Sequence, residues 1–245
     1  LLCVWVSGHK AVVKLSSEDK LLLPFIVEQL RKLIPEWAEA VTFSDEKVTN
    51  FDAVIATGSN NTARYFEYYF GKKPHIIRKN RNSVAVLTGS ENQEELTALG
   101  KDIFQYYGLG CRSVSKLFVP QNYSFDAFFQ AIYAYRDIIN EQKYANNYDY
   151  NKAVYLMSLY KLLENGFLIL KEDKSYASPI ATLFYEYYTD TEVLKKQLIT
   201  DAEQIQCVVA KGLLPDEIAF GKTQIPQLWE YADNVNTLKF LSNLG

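Results

Sequence analysis

Metal-binding and disulfide-forming residues are scarce in this chain of 245 residues. It has two histidines and three cysteines, and Cys3, Cys111 and Cys207 are widely spaced, with no C-x-x-C pair. This pattern fits neither a zinc site nor a disulfide framework. We therefore expect no bound metal and a reducing compartment, which predicts a cytoplasmic protein.

A strong excess of charge and long apolar runs are also missing. The formal net charge is -3 and the pI is near 5.6, which gives no electrostatic reason to expect nucleic acid or an anionic membrane surface. No apolar run reaches the roughly 18 residues of a membrane span. The apolar start, Leu1 to Val6, is too short for a span and lacks the basic residues of a secretory signal.

The chain opens without Met, directly in Val4-Trp5-Val6, which we interpret as a buried strand. We therefore expect the sequence to be a fragment whose upstream part is missing.

Apolar segments alternate between strand-like and helix-like periodicity, which is typical of an α/β fold with a parallel sheet. Ala11 to Leu15 predicts a strand, and the apolar stripe from Leu23 to Trp37 predicts a helix that starts close to Pro24. Further strands are predicted at 41–43, 51–56, 75–77, 84–87, 116–119, 167–170, 182–188 and 205–209, and further helices at 63–70, 91–107, 125–139, 150–164, 190–199 and 235–241.

The stretch Gly108 to Pro120 places one cysteine on a glycine-lined turn between a predicted helix and a predicted strand. Gly108 and Gly110 allow unusual torsions and let a substrate come close, while Arg112 is a positive neighbour that favours a thiolate. Cys111 is therefore a candidate nucleophile. The same residues also fit a glycine helix cap followed by a small buried cysteine.

A second candidate site follows the predicted strand 51–56. Thr57-Gly58-Ser59 leads into a helix, so free backbone N–H groups and the positive end of a helix dipole would face a phosphate. The same composition is also that of an ordinary cap and turn.

Three landmarks occur in a particular order: Val-Val-Lys-x-Ser-Ser at Val12 to Ser17, the turn Thr57 to Ser59, and the helix-Gly-x-Gly-Cys-strand element at Cys111. This order resembles the aldehyde dehydrogenase superfamily, and most closely the LuxC-type fatty-acyl reductases of luminescence systems. The tail, from Phe220-Gly221-Lys222-Thr223-Gln224 through Tyr231 to Leu241, resembles the C-terminal signature of that branch. The likeness covers the chain nearly end to end.

The resemblance implies a fold and a set of roles. Residues 1–80 would be part of a parallel-sheet, dinucleotide-binding domain, truncated at its N-terminus, and residues 81–245 an α/β catalytic domain with its tail. Cys111 would take the acyl group from coenzyme A as a thioester. Lys14 would bind the adenosine ribose, and Gly58 and Ser59 would lie against the pyrophosphate or nicotinamide.

Cofactor preference depends on the residues after Lys14. Ser17 stands where NAD-preferring relatives often carry a glutamate, and a small neutral residue leaves room for a 2′-phosphate, which favours NADPH. Glu18 is adjacent, and an alignment shifted by one residue would reverse the inference and favour NADH.

Two departures from the superfamily pattern bear on the reaction. Hydrolytic relatives carry a glutamate that activates water, whereas the corresponding region here, Ile76 to Asn80, has no carboxylate, which argues for coenzyme A as the thiol partner. The upstream asparagine that donates to the oxyanion has no counterpart in this sequence, and losing one such donor costs ~10²–10³ in rate.

The resemblance, with these two departures, implies an NADPH-dependent reduction of a long-chain acyl-CoA to the aldehyde, by a homo-oligomer or a complex with an acyl-transfer partner. Two alternatives stay open: a dehydrogenase that oxidises free aldehydes, and a non-catalytic binding or assembly subunit.

Overall fold

A computed structural model describes residues 1–17 and 19–244, with the backbone alone at position 38. The chain forms two compact units, one made of Leu1–Lys79 with Tyr231–Gly245 and the other of Asn80–Glu230. The tail from Tyr231 groups with the first of these units. Among the described residues, no helix has the length and apolar character needed to cross a membrane.

The first unit opens with a single helical turn, α1 (Leu2–Val6), so the strand predicted at Val4 to Val6 is wrong. Packing overrides the β propensity of this valine-rich segment, because Trp5 is buried and its ring stacks on that of Trp37 at 5.2 Å. In the tail, helix α8 (Thr237–Ser242) lies near this turn, and the His9 Nε2 atom is 3.0 Å from the carbonyl oxygen of Leu241.

Two β-α-β pairs make up the rest of this unit. Strands β1 (Ala11–Val13) and β2 (Val41–Phe43) are parallel and are connected through α2 (Leu22–Leu33) and a 3-10 helix (Pro35–Ala40). Strands β3 (Val54–Thr57) and β4 (His75–Arg78) are also parallel, with α3 (Asn60–Phe70) between them. The predicted parallel β-α-β arrangement is confirmed.

The second unit is built on one six-stranded sheet with strand order β10-β5-β6-β9-β8-β7. All its neighbouring strands are parallel except β7, which is an antiparallel edge strand. The strands are β5 (Asn82–Val86), β6 (Val114–Pro120), β7 (Leu162–Glu164), β8 (Ile169–Glu172), β9 (Thr182–Tyr188) and β10 (Ile205–Val209).

Helices cover both faces of this sheet. On one face α4 (Gln93–Phe104), α5 (Asp126–Ile132) and α6 (Gln142–Met157) pack on side chains such as Leu117 and Val119. On the other face α7 (Thr191–Thr200) packs near Phe118. Successive residues of β6 alternate between the two cores, so the central strand is buried on both faces, as expected for a parallel sheet.

Three helix predictions need correction. The helix predicted at 150–164 is instead α6 followed by the edge strand β7. The helix predicted at 125–139 becomes 3-10 from Tyr133 to Asn140. The helix predicted to reach Tyr107 ends at Phe104, and Tyr106, which follows it with a φ of +56°, is 63% exposed.

Candidate active site

Cys111 lies on a turn that joins the α4 segment to the start of β6. After α4 a short 3-10 helix (Gln105–Gly108) follows, in which Tyr106, Tyr107 and Gly108 have positive φ values of 56°, 58° and 73°. Such backbone conformations are unusual for tyrosine and are most often retained at functional sites. Cys111 is exposed, so the alternative of a small buried cysteine is wrong for this position.

The turn that carries Cys111 is fixed by hydrogen bonds to residues outside it. The Ser83 hydroxyl donates to the Cys111 carbonyl oxygen at 2.9 Å, and the Gln224 side-chain amide donates to the Ser113 hydroxyl at 3.3 Å. The turn closes on itself through the Ser113 N–H and the Gly110 carbonyl, 2.9 Å apart. The thiol is thus exposed on a backbone that is held in place.

Arg112, predicted as the positive neighbour of the thiol, has other partners within the second unit. Its Nε donates to the Thr223 carbonyl oxygen, and its Nη2 lies 3.6 Å from a carboxylate oxygen of Glu230. The Arg112 side chain is 18% exposed. Its charge is therefore partly balanced by a carboxylate, and its clearest contribution is to anchor the turn.

Asp102, on α4, is a fully buried carboxylate near this turn. It accepts hydrogen bonds from the Gly221 N–H at 2.6 Å, the Thr223 N–H at 3.0 Å and the Thr223 hydroxyl at 2.9 Å. Burial raises the pKa of Asp102 above its ordinary value, although these three donors oppose the shift.

Cys207 lies on β10 and is buried. Burial raises the pKa of the Cys207 thiol, while Arg112 and a hydrogen bond with Ser83 act in the opposite direction. Cys3 is half-buried on α1.

The predicted cofactor residues lie at the carboxyl ends of strands in the first unit. Lys14 follows β1 directly and is exposed, as is Ser17, whereas Glu18 lies outside the described residues. Ligands of open α/β sheets bind at this end of the strands.

Gly58 and Ser59 form the turn between β3 and α3. Ser59 is the N-cap of α3, and its hydroxyl accepts from the Thr62 N–H at 3.2 Å. A Cβ at position 58 would lie 2.8 Å from the Thr62 methyl carbon, so glycine is required for the helix to start this close to the strand. The strand, turn and helix N-terminus that bind phosphates are therefore present, and Ser59 also has a structural role as the cap.

Among residues 1–17 and 19–244, no three His, Cys, Asp or Glu side chains come together as a group that could hold a metal ion.

Sequence reasoning missed the residues that hold the turn, namely Ser83, Asp102, Ser113 and Glu230. One signal was available for Asp102, because it is three residues after Leu99 and directly before Ile103, on the otherwise apolar face of α4. An acidic residue on a buried stripe requires partners, and the tail stretch that includes Thr223 supplies them.

Comparison with solved structures shows which known fold the chain has. No family model and no curated protein matches the chain. Among solved structures, it is similar to aldehyde dehydrogenase 21 of Physcomitrella patens, in complex with the reaction product succinate, with a TM-score of 0.70 and 14% identity over 99% of this chain and 62% of that one.

Two further structures are similar at the same level. One is the indole-3-acetaldehyde dehydrogenase AldA of P. syringae, in complex with NAD+ and IAA, with a TM-score of 0.62 and 14% identity over 86% of this chain and 52% of that one. The other is the Delta-pyrroline-5-carboxylate dehydrogenase of Mycobacterium tuberculosis bound with NAD, with a TM-score of 0.58 and 16% identity over 83% of this chain and 46% of that one.

The chain therefore spans between 46% and 62% of the lengths of these three structures. At such low identity the likeness defines the architecture alone. The chain has an aldehyde dehydrogenase-like α/β fold.

Proposed function

We propose that this protein reduces an acyl-CoA to the aldehyde through a thioester on Cys111, with NADPH as the electron donor. The observation that carries the proposal is the exposed thiol of Cys111 on an anchored turn at the start of the central strand β6. The aldehyde dehydrogenase-like fold supports it, since several similar structures are those of dehydrogenases with bound NAD.

The reaction starts with attack of the Cys111 thiolate on the thioester carbonyl carbon. A carbon–sulfur bond to Cys111 forms, the bond to the coenzyme A sulfur breaks, and coenzyme A leaves as its thiolate, which takes up a proton. When bound, the nicotinamide cofactor supplies a hydride to the carbonyl carbon of the acyl group. Hydride addition leaves a tetrahedral alkoxide on Cys111, which collapses with cleavage of the carbon–sulfur bond, releases the aldehyde and restores the thiolate.

The first unit carries the residues proposed to hold the cofactor. The turn at Gly58 and Ser59, followed by the N-terminus of α3, fits a pyrophosphate, because the first N–H groups of a helix bind anions. Lys14 and Ser17 are exposed at the end of β1, where a ribose and its phosphate could be contacted. The neutral side chain of Ser17 is the reason for proposing NADPH over NADH.

Coenzyme A, and not water, is proposed as the acyl partner because the segment Ile76 to Asn80 has no carboxylate to activate a water molecule. A long acyl chain and a homo-oligomer or an acyl-transfer partner remain part of the same proposal and rest on the resemblance of the sequence to fatty-acyl reductases.

The test is a Cys111→Ser variant assayed for NADPH oxidation with tetradecanoyl-CoA, with Cys3→Ser as the matched control. We expect Cys111→Ser to lose at least about a hundredfold in turnover, because a serine hydroxyl is a far weaker nucleophile than a thiolate. Cys3→Ser should turn over normally. Mass spectrometry after incubation with acyl-CoA alone should find the acyl group on the Cys111 peptide, and undiminished turnover of Cys111→Ser would refute the assignment.

Oxidation of free aldehydes is the second candidate, and the similarity to aldehyde dehydrogenase structures favours it. Rates of acyl-CoA reduction and of aldehyde oxidation with NAD+ or NADP+, measured on the same preparation, distinguish the two. A protein that shows no change in NADPH fluorescence on titration would instead be a binding or assembly subunit.

A further inference from the structure

The tail segment 221–224 belongs to the stretch whose sequence resembles the C-terminal signature of the fatty-acyl reductases. This segment packs onto α4 at one buried carboxylate. Asp102 receives the Gly221 N–H on one carboxylate oxygen and both the N–H and the hydroxyl of Thr223 on the other. Asp102 and Thr223 are each 0% exposed. This contact joins residues 121 positions apart, and the reaction described above makes no use of it.

The same tail segment continues to the turn that carries Cys111. The carbonyl oxygen of Thr223 accepts from the Arg112 guanidinium, and the next residue, Gln224, donates to the Ser113 hydroxyl at 3.3 Å. The two residues that follow Cys111, Arg112 and Ser113, are thus held by the tail segment that Asp102 fixes.

We propose that Asp102, acting through Thr223, is a positioning residue that sets the placement of Cys111 for acyl transfer. The inference rests on the proposed role of Cys111 as nucleophile. In this proposal α4 and the tail segment 221–224 contribute to the reaction by positioning Cys111 and not by contacting the substrate.

The chemistry of the contact explains why a carboxylate is needed. Three donors converge on Asp102, and an ionised carboxylate accepts on both oxygens without presenting a donor of its own. An amide would present an NH₂ group to one of them, so at least one buried donor would lose its partner. Gly221 completes the arrangement, because its φ of +77° and a Cβ that would lie 3.0 Å from the Ala98 Cβ both exclude a side chain there.

The experiment compares Asp102→Asn, Thr223→Val and Thr223→Ser in the full chain. Thr223→Val keeps the shape and the N–H of Thr223 but removes the hydroxyl donor, whereas Thr223→Ser keeps that donor. Measured quantities are kcat and KM for tetradecanoyl-CoA, the thermal unfolding midpoint, and the number of Cys111 thiols alkylated by iodoacetamide per chain.

We expect Asp102→Asn to lower kcat by about tenfold to a hundredfold, the cost of a misplaced reacting group. KM should stay within twofold, and one Cys111 thiol per chain should remain alkylatable, which shows that the nucleophile is still accessible. A cooperative thermal unfolding transition shows that the protein is folded. Thr223→Val should lower kcat less, and Thr223→Ser should restore it. A purely structural role would lower the unfolding midpoint and the fraction of chains that form the acyl-enzyme, while kcat per acylated chain stayed the same.

If Asp102→Asn does not fold, the two Thr223 variants decide the matter by themselves. Equal kcat values for Thr223→Val, Thr223→Ser and the unchanged protein would overturn the positioning role while leaving Cys111 as nucleophile. Full turnover of Cys111→Ser would instead overturn the proposed function, and the two failures are therefore distinguishable.

Discussion

The hydroxyl of Ser83 donates a hydrogen bond to the carbonyl oxygen of Cys111 at 2.9 Å, although 28 residues separate them. Ser83 is fully buried on β5, one of the inner strands of the six-stranded sheet. The exposed turn that carries the thiol is therefore tied to the interior of the second unit at the residue proposed as nucleophile. A reactive group is positioned precisely when the turn that carries it is fixed to rigid elements.

Replacement of Ser83 by alanine tests this link. We expect Ser83→Ala to lower the free energy of unfolding by about 1–2 kcal/mol, because the hydrogen bond is buried, and to reduce kcat for acyl transfer by about tenfold, because the Cys111 backbone loses an anchor. Urea denaturation and steady-state kinetics measure the two effects.

Ser115→Ala is the matched control, since the Ser115 hydroxyl donates to the Tyr176 carbonyl oxygen at 2.7 Å in the same sheet. It should show a similar loss of stability with unchanged kcat. Equal losses of kcat in both variants would mean that Ser83 acts through stability alone.

Ser59 has a demonstrated cap and a proposed cofactor contact, and two substitutions separate them. Ser59→Ala removes the hydroxyl that accepts from the Thr62 N–H, so it should cost about 1 kcal/mol of stability. Ser59→Asp keeps an N-cap acceptor and should retain the stability, but its negative charge would repel a phosphate and weaken NADPH binding by about tenfold or more. Fluorescence titration and urea denaturation are the measurements. Unaltered NADPH affinity of Ser59→Asp would remove Ser59 from the cofactor site.

The strands of both units could be predicted because buried parallel strands are short apolar runs, as in Val84 to Leu87 and Ile205 to Val209. Errors arose where tertiary contacts decide the structure. Val4 to Val6 is helical because Trp5 packs on Trp37, and Leu162 to Glu164 is a strand because β8 offers an edge to pair with. The local sequence pattern contains no information about either of these tertiary contacts.

The candidate site also has one part that local sequence predicts and another that depends on tertiary contacts. The glycine-lined turn predicts Cys111 as a candidate, and its role as nucleophile stays a prediction. The residues that hold the turn could not be predicted, because Ser83, Asp102 and Thr223 reach it from positions far apart in the chain. A carboxylate on an apolar helix face indicates that a buried partner exists, but its identity depends on the fold.

A buried ion pair on the other face of the sheet gives a prediction about stability. Lys116 is fully buried on β6, and its ammonium group lies 2.6 Å from a carboxylate oxygen of Glu186 and 2.8 Å from the Lys174 carbonyl oxygen. Glu186→Gln leaves the ammonium without a counter-charge, so the free energy of unfolding should fall by about 3 kcal/mol.

The control for this pair is Glu192→Gln, which removes the exposed partner of Lys195 on α7. Exposed pairs contribute little, and we expect a change below about 0.5 kcal/mol in urea denaturation. Similar losses of unfolding free energy for Glu186→Gln and Glu192→Gln would show that the burial of Lys116 does not increase the contribution of its ion pair to stability.

The pH dependence of stability reports on Asp102. Burial raises its pKa in the folded state, and the nearby Lys101, together with the Gly221 and Thr223 donors, only partly offsets this effect. The folded state therefore binds the proton more tightly than the unfolded state does. The contribution of this group to stability is fully present below the ordinary aspartate pKa, about 4, and is lost as the pH rises through the higher folded value.

Asp102→Asn cannot titrate, so the difference in unfolding free energy, unchanged protein minus Asp102→Asn, should decrease as the pH rises from about 4 and become constant towards neutral pH. Urea denaturation of both proteins at a series of pH values measures this difference. Tyr135, whose pKa is raised by its own burial and by the Asp102 charge, ionises far above this range and does not contribute. A difference that grows with pH would show that the three hydrogen bonds outweigh burial, because the carboxylate would then be more acidic in the folded state.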